Sequence, residues 1–238
     1  MILKPKIVFL YFLIAVLSFS CKENKEHSAE LIVFLDDLYT LINKKDQSSV
    51  KGYGKILIHF NRKNEVEDLF FGEFNLSEIP ASINNLKNLN TLVISDCKLE
   101  KLPDLKLDKL ETLSLDGNEF KEITPDFKNL INLLELNLNR NKFEGTLIIK
   151  NLPEELRTLD LSNNTIDNII IESHLPYLYS LNLSNTLITD IDTSICKLPK
   201  LQYLHLSNNK LEGLKQKIET ELECLKNVEI DTTKKFEI

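Results

Sequence analysis

The chain has few of the residues from which phosphate loops and nucleic-acid grooves are built. Its 238 residues include no tryptophan and only six glycines, so a glycine-rich loop that cradles phosphate has little to be built from. The arginines are Arg62, Arg140 and Arg157, the formal net charge is −7, and the lysines form no cluster. We therefore expect no nucleic-acid partner, because such partners require a concentrated positive surface.

The chain also lacks a constellation of catalytic or metal-ligating residues. Its four histidines, His27, His59, His174 and His205, lie in four different contexts, and none has a partner at metal-ligand spacing. An active site needs several titratable groups held together in one pocket. We therefore expect a protein that is not an enzyme, with no catalytic residues, no metal and no small-molecule cofactor.

The first residues have the order of an export signal. Two lysines among the first six residues precede a mostly apolar run, 7–19, which is shorter than the roughly 20 residues of a membrane span. Ser20 and Cys21 follow, and then the polar stretch 22–27. This segment is set aside from the folded domain.

The segment resembles a bacterial lipoprotein signal, in which a small residue precedes the cysteine that becomes the lipid-bearing first residue of the mature chain. It departs from the usual pattern at Ser18, where leucine is expected, with Leu17 one place further back. The resemblance implies a signal peptide over 1–20, lipidation at Cys21, a flexible tether over 21–27, and an exported protein anchored at a bacterial outer membrane or cell surface. A cleaved secretory peptide without lipid and an uncleaved anchor are the alternatives.

The rest of the chain repeats itself every 21 to 23 residues. Each repeat has an aliphatic residue at relative positions 1, 4 and 6, and an aliphatic residue or phenylalanine at position 11. The repeats begin at Leu89, Leu110, Leu133, Leu156, Leu178 and Leu201. In the same order, position 9 is occupied by Cys97, Asn118, Asn141, Asn164, Thr186 and Asn209.

This pattern resembles the leucine-rich repeat family, whose motif is L-x-x-L-x-L-x-x-N-x-L. The resemblance implies an α/β solenoid, a curved array with a concave parallel β-sheet. Alternation around positions 4 and 6 is typical of a strand with one buried face. The position-9 amides are expected to satisfy backbone groups inside the stack, and positions 3, 5 and 7 to point outward from the sheet.

Both ends of the array are predicted to be capped, because an open solenoid end exposes leucines. Residues 28–65 are predicted as an N-terminal cap of one helix, with Ser28 as a possible N-cap, and a hairpin. Residues 66–224 are predicted as seven repeats, the first one degenerate because Phe74 replaces the polar residue at position 9. Residues 225–238 are predicted as a terminal strand and tail. At this end, one helical face is predicted to comprise Leu214, Ile218, Leu222 and Leu225.

Three cysteines follow Cys21, and so odd and sparse a set is not typical of a disulfide framework. Cys97, Cys196 and Cys224 are expected to be small buried hydrophobic residues. A bond between Cys196 and Cys224 is left open.

The outward positions of the sheet provide the candidate binding residues, because aromatic and arginine side chains dominate interface energetics. The predicted partner-binding residues are Phe70, Glu135, Arg140, Asp160, Tyr203 and His205. Asp116, Glu135 and Asp160 lie on three adjacent predicted strands, which is a weak basis for a cation site.

The sequence therefore predicts a non-enzymatic binding module, a membrane-tethered protein that recognises another protein through its concave face. The alternative is a structural envelope or adhesion protein that contacts glycan or self-associates.

Overall fold

The computed structural model describes residues 29–44, 54–123 and 126–233, and within them a nine-stranded sheet is the main feature. The order is β1-β2-β3-β4-β5-β7-β9-β10-β11. The strands of this sheet are β1 (Lys55–Phe60), β2 (Val66–Gly72), β3 (Thr91–Ser95), β4 (Thr112–Ser114), β5 (Glu135–Asn137), β7 (Thr158–Asp160), β9 (Ser180–Asn182), β10 (Tyr203–His205) and β11 (Glu229–Asp231). Only β1 runs antiparallel to its neighbour, so eight strands are parallel.

The repeat pattern fixes the register of this sheet. The position-4 leucines align across consecutive strands and each is at most 1% exposed. They are Leu69, Leu92, Leu113, Leu136, Leu159, Leu181 and Leu204. A one-residue slip would turn this whole row toward solvent, so burial of the row specifies a single register.

The N-terminal end of the stack is covered by helix α1 (Ala29–Lys44) and by the β1–β2 hairpin. Helix α1 buries one face against the stack, including Leu31, Phe34 and Leu38, and the Phe34 ring lies 6.3 Å from that of Phe71. The Asn61 side chain closes the hairpin by accepting backbone hydrogen bonds at 2.9 and 3.1 Å. The predicted cap of helix plus hairpin is confirmed, while Ser28 lies outside the described residues.

The position-9 asparagines form an asparagine ladder inside the stack, comprising Asn118, Asn141, Asn164 and Asn209. The Asn164 amide donates to the carbonyls of Leu138 and Leu161 at 3.1 and 2.9 Å, and its oxygen accepts from the backbone N–H of Asn141 at 3.1 Å. Each amide thus joins two repeats. In the repeat that has threonine at position 9, the Thr186 hydroxyl replaces part of this bonding by donating to the Leu183 carbonyl at 2.9 Å.

Position 8 has a backbone requirement that was not predicted from the sequence. In seven successive turns this residue has φ between +52° and +67°, in the left-handed region. The residues are Glu73, Asp96, Gly117, Arg140, Asn163, Asn185 and Asn208. Four of them are Gly or Asn, the residues that adopt this conformation most easily, and this was the available signal.

The convex side changes form along the stack. Short 3₁₀ helices cross it at Ala81–Asn85, Phe127–Asn129 and Thr193–Lys197. Between them, β6 (Glu144–Ile149) and β8 (Thr165–Ile171) form a parallel two-stranded sheet. Both strands are rich in β-branched residues, which favour an extended backbone.

The C-terminal end differs from the prediction in two ways. The four apolar residues predicted for one helical face do not lie on one helix. Helix α2 spans Leu214–Thr220 and contains two of them, and the other two belong to a separate 3₁₀ turn at Glu223–Leu225 and its N-cap. Leu222 and Leu225 are buried, whereas Leu214 and Ile218 are only half-buried.

The expectation for two cysteines was also wrong. Cys196 and Cys224 form a disulfide with their Cα atoms 5.5 Å apart, and both residues are exposed. The prediction followed from the odd, sparse set of cysteines, which does not show that Cys196 and Cys224 lie on adjacent convex turns. Cys97 is free and buried as expected, and burial raises the pKa of its thiol to about 12.

The predicted α/β solenoid with a concave, mostly parallel sheet is thereby confirmed. No helix among the described residues combines the length and the apolar character that a membrane crossing requires. The leader and Cys21 lie outside the described residues.

Candidate binding surface

The concave face, defined here by positions 3, 5 and 7 of the strands, is half-buried or exposed at nearly every position. Ser162 is the exception, at 2% exposure, because its hydroxyl donates to Asp160 at 2.6 Å and accepts from Asn139 at 2.7 Å. The face has three parts, a hydrogen-bonded centre and two ends that carry apolar or aromatic side chains.

Arg140, at position 8 of its repeat, lies beside the centre of this face and is already paired. Its guanidinium bonds Asp116 at 2.7 Å and Asp96 at 3.2 and 3.3 Å, so one side chain joins three repeats. Gly117 lies between these carboxylates, and a Cβ at that position would overlap the Asp96 carboxylate and approach Arg140 to 3.0 Å. A glycine at this turn therefore leaves room for the ion-pair cluster.

The cluster alters the protonation of its members. Partial burial opposes ionisation of Asp116, but hydrogen bonds from Ser95 and Arg140 outweigh it and lower the pKa of this carboxyl. The hydrogen bonds that Arg140 donates, first to Asp116 and then to Asp96, raise the pKa of Arg140. Both groups stay charged, and much of their bonding capacity is used inside the protein.

The remaining predicted residues of the centre differ in their contacts. Asp160 accepts from Ser162 and, at 3.0 Å, from the Asn182 amide. Glu135 is exposed, and its side chain makes no hydrogen bond or ion pair with the described residues. The carboxylates of Asp116, Glu135 and Asp160 occupy different positions along their strands, and Asp116 forms an ion pair with Arg140. Among the described residues no group of three or more histidines, cysteines and carboxylates is placed to hold a metal.

The N-terminal end of the concave face is apolar. Phe70 lies in register with Val93 on one side and with Leu57 on the other. The His59 ring contacts Phe70 edge-on at 5.6 Å, and its Nδ1 lies 3.2 Å from the Asp68 carboxylate. Leu57 was not among the predicted residues, because β1 was treated as part of the cap. The structure makes β1 a continuation of the sheet.

The C-terminal end carries aromatic residues. Tyr203 and His205 lie on β10 as predicted, and the Tyr203 ring meets Tyr179 edge-on at 6.3 Å. Tyr177 lies beside them, with the Lys200 ammonium 4.5 Å from its ring centroid. Tyr177 and Tyr179 occupy positions 0 and 2 of their repeat, which precede the strand. Both tyrosines therefore lie outside positions 3, 5 and 7, from which the binding residues were predicted, although two tyrosines around one leucine were a visible signal.

The structure thus places Phe70 at one end of the face, Arg140, Glu135 and Asp160 at the centre, and Tyr203 and His205 at the other end. It brings Tyr203 and His205 together but does not bring the acidic residues together.

The repeats match known family models. A model described as leucine rich repeat matches residues 176–230, and a second model of the same description matches residues 109–130 and 155–175. Together these matches lie within the repeated part of the chain.

Curated relatives contain similar repeats. Receptor-like protein 7 of Arabidopsis thaliana is 29% identical over 60% of this chain and 16% of its own length. Oligodendrocyte-myelin glycoprotein of Homo sapiens is 28% identical over 67% of this chain and 34% of its own length. Keratocan of Danio rerio is 29% identical over 72% of this chain and 51% of its own length. The chain thus spans about half of these relatives or less.

Two solved structures are also similar to this chain. A pollen receptor kinase 3 is 23% identical with a TM-score of 0.45, covering 83% of this chain and 85% of its own. TLR13, solved in complex with ssRNA13, is 30% identical with a TM-score of 0.48, covering 55% of this chain and 19% of its own. On the family models and the described sheet, the repeats are leucine-rich repeats and the fold that they build is a leucine-rich repeat solenoid.

Proposed function

We propose that this protein is a non-enzymatic recognition module that binds another protein through its concave face and is tethered to a membrane by lipid on Cys21. The observation that carries the proposal is the concave sheet itself, nine strands wide, whose outward side chains are accessible from one end to the other. A receptor-like protein among its relatives supports a recognition role.

The size of the face suits a protein partner. Nine strands about 4.8 Å apart extend roughly 38 Å, and a width of about 17 Å gives an area on the order of 650 Å². This approaches the roughly 800 Å² that each partner buries in an interface of standard size. The face also carries carboxylates at Asp68, Glu135 and Asp160, which disfavours a polyanion and supports a protein partner without nucleic acid.

Two features support export and tethering. The lipoprotein-like leader ends at Cys21, and the disulfide between Cys196 and Cys224 is exposed. Exposed structural disulfides persist in oxidising compartments and are rare in the cytosol. We therefore propose an exported protein at a bacterial outer membrane or cell surface.

Partner binding is tested with a variant of the concave face. The triple variant Arg140→Ala/Tyr203→Ala/His205→Ala is expected to recover at least about tenfold less partner in a pull-down, because aromatic and arginine side chains carry most interface energy. The control is Thr146→Ala/Ile148→Ala, which truncates two exposed side chains of the convex strand β6. Equal recovery by the triple variant and the control would contradict the assignment of the concave face.

Tethering is tested by intact mass and detergent partitioning of the protein from its own membranes, compared with Cys21→Ala. We expect a lipid-sized mass increase that disappears in the variant, together with a shift to the soluble fraction. A protein without lipid in the soluble exported fraction would be a diffusible binder instead.

A second candidate function, self-association, is favoured by the N-terminal end. Ile32, Val33 and Leu57 are exposed there by 51%, 48% and 54%, and the outer edge of β1 has no strand partner among the described residues. Free edges and apolar patches are typical sites of pairing between chains. Sedimentation of the purified protein separates a monomer from a dimer, and a Leu57→Lys change is expected to dissolve a dimer formed at this edge.

A further inference from the structure

We propose that the energetic centre of recognition is the C-terminal flank of the solenoid, and that it takes the surface of a folded protein and not a glycan. The tyrosine flank is defined here as Tyr177, Tyr179 and Tyr203 together with the cations Arg157 and Lys200. This inference rests on the proposed function and names the part of the molecule that carries it.

The tyrosine flank is a continuous patch because the repeat stacks its members. The Tyr179 N–H donates to the Arg157 carbonyl, and the Tyr179 carbonyl accepts from the Tyr203 N–H, so Arg157, Tyr179 and Tyr203 lie on successive turns. Tyr177, Tyr179 and Tyr203 are exposed by 41%, 38% and 39%. Three large rings at this exposure present on the order of 240 Å², about a third of what one side of a standard interface buries.

The polar groups of the tyrosine flank are available to a partner. Neither the three hydroxyls nor the Arg157 guanidinium makes a hydrogen bond or ion pair within the part of the chain that the structure describes. Arg140, at the centre of the concave face, is held by two carboxylates instead. Binding at the flank therefore adds hydrogen bonds, whereas binding at the centre must first break an ion pair.

The arrangement of the rings favours a protein over a glycan. A sugar chain stacks best on a flat platform of rings, but Lys200 lies over one face of Tyr177, and the Tyr179 and Tyr203 rings are inclined at 75° to each other and so form no such platform. Tilted tyrosines among Ser180, Asn182 and an arginine instead have the composition of protein-binding surfaces, where tyrosine supplies large, rigid and amphipathic contact area. The other exposed apolar residues of the repeats, Ile131, Ile148 and Leu187, have no aromatic contact of this kind.

The test is site-specific photo-cross-linking in cells that make the protein, with p-benzoylphenylalanine replacing Tyr177, Tyr179 or Tyr203. Ser114 is the probe of the concave centre, and Thr146 and Ile148, both exposed on the convex strand β6, are the convex controls. We expect one protein, identified by mass spectrometry, to be cross-linked from Tyr179 and Tyr203 and not from the convex controls. That protein is then purified, and its affinity is expected to fall at least about tenfold for Tyr179→Ala/Tyr203→Ala and less than about twofold for Leu187→Ala.

The other outcomes each overturn a defined part. A cross-link from Ser114 without one from Tyr179 would retain the concave-face binder and refute the tyrosine flank. Absence of a protein cross-link from every position would refute both. An adduct that is resistant to protease and removed by glycan-degrading enzymes would refute the protein partner and favour a glycan.

Discussion

At the scale of single residues, a few side chains satisfy the backbone of neighbouring repeats. A short repeat leaves polar backbone groups inside the stack, and the asparagine ladder bonds them across the turn. The Asn164 amide alone donates to three buried carbonyls and accepts from two backbone N–H groups. Because removal of such a partner leaves buried groups unsatisfied, one amide affects two repeats.

Asn164→Ala is therefore expected to lower the free energy of unfolding by about 2–4 kcal/mol, because several buried backbone groups lose their partner. Urea denaturation measures the change. The control is Asn129→Ala, an exposed asparagine on the convex side, for which we expect less than about 0.5 kcal/mol. Similar losses for both variants would refute the structural role of the asparagine ladder.

The Arg140 cluster gives a pH-dependent prediction. The pKa of Asp116 is lowered by folding, so its contribution to stability is present above the unfolded pKa and is lost as pH falls through the folded value. The stability difference between the wild type and Asp116→Asn is thus expected to be constant near neutral pH and to shrink as pH falls below about 3.8. Denaturation at several pH values tests this, and a difference that grows on acidification would contradict the proposed ion pair.

The thiol of Cys97 provides a third test at this scale. Its pKa is raised to about 12 by burial, and the thiolate is the reactive form. We expect Cys97 to resist alkylation by iodoacetamide at pH 8 in the native protein and to react fully in denaturant, as measured by mass spectrometry. Rapid native labelling would show that this repeat opens.

At the scale of elements, the parallel strands and their register followed from the sequence because the leucine pattern leaves one way to bury every row. On the convex side, composition indicates an extended backbone only for β6 and β8, because these segments contain runs of β-branched residues. At the C-terminal end a single helical face was predicted, but the structure has helix α2 and a separate 3₁₀ turn. The spacing of apolar residues continues through both and does not show where the helix ends. The disulfide was missed for a related reason, because its partners meet through packing of two convex turns that are distant in sequence.

The disulfide is expected to hold the C-terminal end together, because α2 has no buried residue. For a separation of 28 residues, loop-closure entropy corresponds to roughly 3–4 kcal/mol. Reduction is therefore expected to lower Tm by roughly 10 °C, and Cys196→Ser/Cys224→Ser is expected to melt at the reduced value whether or not reductant is present.

Hydrogen exchange locates that effect. Amides of residues 214–231 are expected to exchange faster after reduction, while those of residues 89–120 remain unchanged, since repeats contact only their neighbours. Equal exchange changes along the whole stack would contradict a local role for the disulfide.

At the scale of the whole molecule, the concave side is uneven in what it offers a partner. At its centre, Arg140 is paired with Asp116, and Asp160 accepts hydrogen bonds from neighbouring side chains. Its two ends instead present Phe70 and the tyrosine flank to a partner. The candidate residues at positions 3, 5 and 7 were predictable from the repeat, because a strand alternates its faces. Which of them are free and which are paired depends on side chains two repeats apart, such as Asp96 and Arg140, and no local pattern shows this.

The central claim, recognition through the concave side, is tested most directly by hydroxyl-radical footprinting of the protein with and without its purified partner. We expect protection of Tyr179, Tyr203, His205 and Phe70, because their side chains face the partner, and unchanged oxidation of Ile148 on the convex side. Protection confined to Ile148 and its convex neighbours, with the tyrosines still fully reactive, would contradict the account.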